Sequence, residues 1–493
     1  MSKYLYGASV QGIQEFIFAT NKLQEIVGAS EIVKNVAIEF EKISTYNKGH
    51  KNILLNAAGN IKAIFDTKEE CEKVVLEFGK IIQQKAYGIS ISQAVVLFDG
   101  DEKVYINDLE KRLKIQRNKP SIPLNSSINI TKLNPKTAKP AICYEKIEGE
   151  IDEKKPLDIA SKQKRMAYVK WLNSPEKSRN KEFKNISNFS NEKNKIAVIH
   201  IDGNGLGQLI PKLKISLSEF SKKLDDATTK SFDDARDDTM DVREIILGGD
   251  DVTVICNANN ALDFTKKFLA NFETNTKVIG KDGQGLTACA GIAFTNEKYP
   301  FHYAVSLAEE LCGASKKHAK KLNENLAPSC LMFHNIQSSN FQSWDKFIED
   351  ELTIQNDKQT IRCDFGPYYL SEPNQPNINM LQNSIEAYRC DGSPIGRLRN
   401  WLSELYKSNE YAKNLLDRIN DVTEQSGKWR CDIMNKNLEN LYSGLSDCKL
   451  IIKKDIEKDC NGVAKELFKT PIYDILQIIS TTDEKGAIND TQI

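Results

Sequence analysis

Two acidic stretches 49 residues apart hold the side chains best suited to chemistry. One is Asp202, in the run Ile201-Asp202-Gly203-Asn204-Gly205-Leu206-Gly207; the other is Asp250-Asp251, preceded by Gly248-Gly249. Carboxylates hold hard divalent cations through oxygen. Phosphoryl transfer uses two such cations, Mg2+ or Mn2+, one lowering the pKa of the attacking hydroxyl and both offsetting charge on the phosphate and the departing pyrophosphate. Asp202, Asp250 and Asp251 converge if Asp202 ends a strand and Gly248–Asp251 caps the neighbouring hairpin. Gly248 and Gly249 suit a tight turn that leaves room for a nucleotide against the backbone. Gly203, Asn204, Gly205 and Leu206 enter a helix whose N–H groups would cradle a triphosphate. Lys316, on a later helix, would reach the β- or γ-phosphate. A Gly-Gly-Asp-Asp sequence alone is often only turn chemistry, the Lys316 stretch KKHAKK also suits a solvated helix face, and Glu309 reads as a surface residue. A buried apolar hairpin joined with a strand ending in Asp-Gly-Asn-Gly-Leu-Gly favours the functional reading.

The elements that would position these residues repeat along the chain. Residues 4–10 read as a strand, about 13–42 as a helix, and NILLNAAGNIKAIFD as a hairpin turning at Gly59-Asn60. A helix capped by Thr67, with Glu70 three residues on, follows, and SISQAVVLF closes the unit as a strand. The same βαββαβ order returns with KIAVIHI ending at Asp202, an acidic helical region at about 206–240, the hairpin REIILGGDDVTVIC, the helix NALDFTKKFLANFETNTKVI and the strand GLTACAGIAFT. The first copy has Ala57-Ala58-Gly59-Asn60 at its hairpin tip and Ser9 at its strand end, so it cannot hold two metals in the same way. The expected fold is α+β: two ferredoxin-like (βαββαβ) palm domains at 1–110 and 195–330, a basic linker at 111–194 and a mostly helical domain at 331–493.

Composition narrows the function. The chain has 493 residues, more than one core serves, and its 68 Lys+Arg balance 68 Asp+Glu. Zero net charge argues against a whole-molecule grip on nucleic acid. Residues 111–194 are locally basic, with 20 Lys and Arg against 9 Asp and Glu. That stretch could contact phosphates or serve as a solvated linker. No apolar run approaches the roughly 20 residues of a membrane span and no signal peptide is evident, so a cytoplasmic protein is expected. The 11 cysteines are scattered without C-x-x-C spacing, which gives a zinc knuckle little support.

These motifs together resemble the large, polymerase-like subunit of type III CRISPR complexes, most of all its second palm domain, with nucleotide cyclases of the GGDEF type as more distant kin. The resemblance rests on GASVQGIQEFIFATNKLQEIVGASEIV in the first palm. In the second it rests on HIDGNGLGQL, ILGGDDVTVIC and GIAFTNEKYPFHYAVSLAEELCGASKKHAK. It implies a stand-alone relative that joins ATP into cyclic oligonucleotide second messengers in antiviral defence. Alternatives are a non-catalytic RNA-binding scaffold and a dinucleotide cyclase using GTP. Carried over residue by residue, it makes Asp202, Gly203, Asp250 and Asp251 metal ligands and Gly203 to Leu206 phosphate contacts. Lys316 would neutralise phosphate, and Ser30 would face a nucleotide. Against that family pattern, DNA cleavage by an HD nuclease ahead of the first palm is not expected, only Cys143 remains of a zinc knuckle, and Asn204 stands where a carboxylate is often found. Expected partners are nucleoside triphosphates, with RNA or an effector on the basic linker or C-terminal helices; a homo-oligomer stays open.

Overall fold

A computed structural model describes residues 3–44, 53–57, 59–100, 102–119, 130–146, 154–174, 181–209, 217–280, 283–337, 343–355, 359–389, 392–426, 452–458 and 464–483. The first unit runs β1 (Lys3–Gln11), α1 (Ile13–Phe18), α2 (Leu23–Ser44), β2 (Ile53–Ala57), β3 (Asn60–Phe65), α3 (Lys68–Lys85) and β4 (Ser90–Phe98). Its strands are antiparallel in the order β2-β3-β1-β4, as a βαββαβ chain requires. As expected, Thr67 caps α3 by accepting the Glu70 N–H, and α3 buries Cys71, Val74, Phe78 and Ile82 at helical spacing.

Two details differ from the sequence reading, and Ala58 of the expected hairpin tip lies outside the described residues. β1 continues past Ser9 to Gln11, with Ser9 opposite Asn60. The single helix expected over 13–42 is two helices. The break is used: Asn21 Oδ1 accepts the backbone N–H of Phe301 at 2.9 Å, at the start of a helix in the second unit. That N–H has no partner within its own helix, so a helix continued through Asn21 would lose the cap.

Beyond β4, α4 (Glu102–Arg117) crosses the expected boundary at 110. Its Leu109 and Leu113 cover Leu5, Val96 and Phe98 on the outer face of the first sheet. The basic stretch then forms a strand pair, β5 (Cys143–Lys146) with β6 (Lys154–Leu157), and α5 (Ile159–Leu172). Helices α2 and α5 touch at backbone distance, since a Cβ on Gly28 would lie 1.8 Å from the Lys164 carbonyl oxygen.

The second unit comprises β7 (Lys195–Gly203), α6 (Leu206–Leu209), α7 (Leu217–Ala235), β8 (Val242–Gly248), β9 (Asp251–Asn257), α8 (Ala261–Asn275), β10 (Ala288–Asn296), α9 (Phe301–Leu322) and β11 (Cys330–Asn335). Four strands repeat the first unit's order, β8-β9-β7-β10, all antiparallel. β11 adds to β10 in parallel, and a short strand at Tyr368–Tyr369 completes a six-stranded sheet. Side chains alternate along β7. Ala197, Ile199 and Ile201 enter a core with Phe220, Phe232, Phe264 and Phe268, whereas Ile196 and Val198 enter one shared with the first unit's Ile26. Both faces are therefore covered, which is why this strand reads as an unbroken apolar run. Phe18 of the first unit meets Phe301 of the second with ring centroids 5.9 Å apart. Each such ring taken out of water contributes about 1.5–3 kcal/mol to holding the units together.

The C-terminal part is less helical than expected. Alongside helices Trp344–Glu351, Ile378–Arg389, Ile395–Leu405 and Asn409–Ser426 it contains a four-stranded sheet. Within the region expected to be mostly helical, 464–481 divides into a strand at Ala464–Lys469 and a helix at Ile472–Thr481. The strand pairs in parallel with Gln359–Arg362 and antiparallel with Ile452–Lys458, and these ladders override the helix propensity of Ala-Lys-Glu-Leu. No helix among the described residues is long and apolar enough to cross a membrane.

Candidate active site

β7 and β9 are neighbours, and their register sets Asp202 directly opposite Asp251. The hairpin β8–β9 closes with Gly248 opposite Asp251, leaving Gly249 (φ 62°) and Asp250 as the turn. Helix α7 fastens that turn, with Thr228 Oγ1 donating to the Gly249 carbonyl at 2.5 Å and Asp225 Oδ1 accepting the Gly249 N–H at 3.3 Å. The Gly203 N–H donates to the Asp250 carbonyl at 3.2 Å, and a Cβ on Gly203 would lie 2.7 Å from the Asp250 Cβ. Only glycine lets the aspartate of the turn come so near the end of β7. The structure thus brings Asp202, Asp250 and Asp251 together as the sequence predicts.

Lys316 of α9 completes the cluster. Its Nζ donates to Asp202 Oδ2 at 2.6 Å and to the Gly203 carbonyl at 2.7 Å. The ammonium occupies the oxygen pair that was expected to serve a metal. Burial, and then the charge of Asp202, push the Asp250 carboxyl up to about 6. Burial followed by the charges of Asp202, Asp250 and Glu309 pushes Asp251 up to about 7. Asp251 Oδ1 has no hydrogen-bond partner, although 42% of the side chain is exposed. His200 Nδ1 lies 3.6 Å from that oxygen, too far for a hydrogen bond, and pairs instead with Thr253 Oγ1 at 3.2 Å. Burial lowers the His200 pKa to about 4, so the ring is neutral at pH 7 and gives Asp251 no charge.

An unpartnered, shielded carboxylate oxygen among mutually repelling carboxylates fits a hard divalent cation in donor type. Among the described residues, however, no group of three or more His, Cys, Asp and Glu side chains is arranged to hold a metal ion. A cation at these carboxylates competes with the Lys316 ammonium for Asp202.

The residues after Asp202 behave differently from the expected phosphate cradle. The Gly203 and Asn204 N–H groups are already committed, to Asp250 and to the Thr287 carbonyl. Asn204 is buried, its Nδ2 donating to Thr287 Oγ1 and the Ala327 carbonyl, and so it faces the palm interior. Gly205 has φ 76°, and Leu206 packs against the core at the start of a helix only four residues long. A helix of four residues, preceded by amides that are already engaged, offers little to an anion.

Sequence reading missed Thr228, Asp225 and His200, which carry no motif of their own. It also placed Glu309 on the surface. Glu309 is half-buried, burial pushes its carboxyl up, and it adds its charge to Asp251.

The site opens onto a cleft of about 1030 Å³ between the two units. Asp251, Gly248 and Glu244 line it from the second unit, and Ser30, Gly59 and Lys34 from the first. The Ser30 hydroxyl donates to the Ile245 carbonyl, so this serine also ties α2 to β8.

Residues 195–325 match the family model described as Cas10/Cmr2, second palm domain. No curated protein matches the sequence. Among solved structures, the chain is similar to Csm1 of T. onnurineus, at 13% identity over 98% of this chain and 70% of that one, with a TM-score of 0.53. It is also similar to a Csm1–Csm4 cassette in complex with cA4, at 13% identity, 98% and 70% coverage and a TM-score of 0.50. For a cassette in complex with one ATP the identity is 14%, the match covers 64% of this chain and 53% of that one, and the TM-score is 0.43. The chain therefore spans between about half and 70% of the length of these structures, and at such identity the likeness concerns fold. Residues 195–325 thus match a second palm domain of the Cas10/Cmr2 kind, and the fold of the chain is similar to that of Csm1.

Proposed function

We infer that the chain is a metal-dependent nucleotidyltransferase that joins nucleoside triphosphates, ATP first, into cyclic oligonucleotides serving as second messengers in antiviral defence. One observation carries the reading. Three carboxylates, from a strand end and a hairpin tip, meet beside a lysine at the edge of a cleft that both palms line.

Asp202, Asp250 and Asp251, with the Gly203 carbonyl, are the oxygens that would hold divalent cations, Mg2+ or Mn2+. When bound, such cations lower the pKa of an attacking hydroxyl and offset phosphate charge. The chain's own groups supply the rest. Lys34, Lys222 and Arg236 line the cleft and complement triphosphates. No heavy atom would lie within 4 Å of a Cβ built on Gly248 or Gly249, so the turn leaves open space for a phosphate. The Lys316 ammonium is placed to exchange Asp202 for a phosphate oxygen. With two nucleotides aligned across the cleft, the 3′-oxygen of one bonds to the α-phosphorus of the other. The bond from that phosphorus to the β-phosphate oxygen breaks, pyrophosphate leaves, and the hydroxyl proton passes to water. Repetition and ring closure give the cyclic product. That a cassette sharing this fold was crystallised with cA4 supports the product class.

Lys316 bound to Asp202 and Gly203 favours a second reading, a non-catalytic RNA-binding scaffold. Incubating the protein with each NTP and Mg2+ or Mn2+, with and without RNA, and weighing the products by mass spectrometry decides between them. Cyclic oligoadenylates that vanish in Asp250→Ala/Asp251→Ala support catalysis. No new nucleotide supports the scaffold, and a cyclic dinucleotide made from GTP alone replaces the proposed substrate.

A further inference from the structure

A second cavity, of about 760 Å³, lies between the first palm and the basic insertion, apart from the three carboxylates. Five lysines line it: Lys22 from the α1–α2 connection, Lys136 and Lys139 from the turn at 134–139, Lys155 from β6 and Lys164 from α5. Its acidic residues are Glu15, Glu25 and Asp158, and the latter two are engaged. Glu25 accepts from Arg165 Nε at 3.0 Å and Thr20 Oγ1 at 2.6 Å. Asp158 accepts from Asn134 Nδ2 at 2.8 Å, Thr137 Oγ1 at 2.6 Å and the Ser161 N–H at 2.9 Å.

Lys164 is the unusual member. It is only 4% exposed, donates to the Phe16 carbonyl, and sits 4.4 Å from the centre of the Phe16 ring. Among the described residues it has no carboxylate within ion-pair distance. Burial pulls its pKa down to about 8. Burial of this ammonium is costly, the charges of Glu25 and Asp158 offset that cost only in part because both carboxylates are held by other donors, and an incoming anion lowers it further. The walls are preformed. α5 is locked on α2 through Gly28, and Gln163 bonds the Gln84 carbonyl and the Tyr87 N–H. The turn carrying Lys136 and Lys139 is closed by the Ala138 N–H to the Asn134 carbonyl and tied to Asp158 through Asn134 and Thr137.

We propose that this cavity is a second nucleotide site, which takes the triphosphate group on its lysines independently of the carboxylate cluster. Ammonium groups converging on one cavity match charge concentrated on adjacent phosphates. A phosphodiester strand calls instead for a track of cations with stacked aromatics, and only Phe16 and Tyr87 are aromatic here besides His302. Phe16 is taken up by Lys164, whereas Tyr87, 37% exposed, leaves one ring at the cavity for a base. The proposal stands whether or not Asp202, Asp250 and Asp251 catalyse.

The test is calorimetric titration of the full chain with inorganic tripolyphosphate and with ATP, in EDTA. Binding is expected to persist in Asp250→Asn/Asp251→Asn and to weaken about tenfold or more in Lys136→Glu/Lys139→Glu, whose folding is checked by thermal melting. Tripolyphosphate binding alone assigns the site to free polyphosphate rather than to a nucleotide and overturns the nucleotide assignment. Absence of binding, or equal binding by wild type and the double-lysine variant, overturns the site. So does displacement of ATP by RNA lacking a 5′-triphosphate.

Discussion

Replacing Asp251 with asparagine is expected to stabilise the metal-free protein while abolishing the proposed nucleotidyl transfer. Asn keeps the shape of Asp and removes a charge that the structure leaves without a partner at Oδ1. A wholly shielded carboxyl held near 7 instead of 3.8 would carry a penalty of about 4 kcal/mol once ionised in the folded state. With 42% of the side chain exposed, solvent screening reduces this to about 1–2 kcal/mol. The sign follows from linkage. The folded-state pKa lies above the unfolded one, so the native state binds the proton more tightly. Stability from this group is full below about pH 4 and is lost as pH rises through about 7. Denaturant unfolding of wild type and Asp251→Asn in EDTA at pH 4 to 8 measures the difference. It is expected near zero at pH 4 and about 1–2 kcal/mol in favour of the variant at pH 8. Added Mg2+ is expected to close the gap by stabilising only the wild type. A difference independent of pH, or a variant less stable at pH 8, would refute the charge-cluster account.

Two further substitutions separate positioning from chemistry. Gly203→Ala places a methyl 2.7 Å from the Asp250 Cβ; nucleotide product is expected to fall at least about tenfold with the far-UV spectrum unchanged, and undiminished product would dismiss the close approach. Ser30→Ala leaves the Ile245 carbonyl without its donor and is expected to cost about 1–3 kcal/mol in denaturant unfolding; a neutral result would show that the inter-palm bond carries no stability.

Much of this site was legible because its signals are local. Asp202 ends an apolar strand and Gly248–Asp251 interrupts another, so period-two patterning and a turn place all three carboxylates at one end of a sheet. Asn204 was misread because its spacing from Asp202 carries no information about which way its amide faces; Thr287 and Ala327, more than 80 and 120 residues away, decide that. His200 and Thr228 escaped notice for the same reason, since only the assembled sheet puts them beside Asp251 and Gly249. The strand Ala464–Lys469 was hidden by helix-forming residues whose pairing partners begin at 359 and 452. The basic excess in 111–194 was visible as composition, but not that Lys164 would be buried against Phe16.

The central claim is that Asp202, Asp250 and Asp251 jointly seat divalent cations for a nucleotide. Anomalous diffraction from crystals grown with Mn2+ and a non-hydrolysable ATP analogue tests it most directly. The account predicts manganese peaks on these three carboxylates, with the Lys316 ammonium moved from Asp202 to a phosphate oxygen. Nucleotide present with no manganese there, and Lys316 still on Asp202, would contradict it.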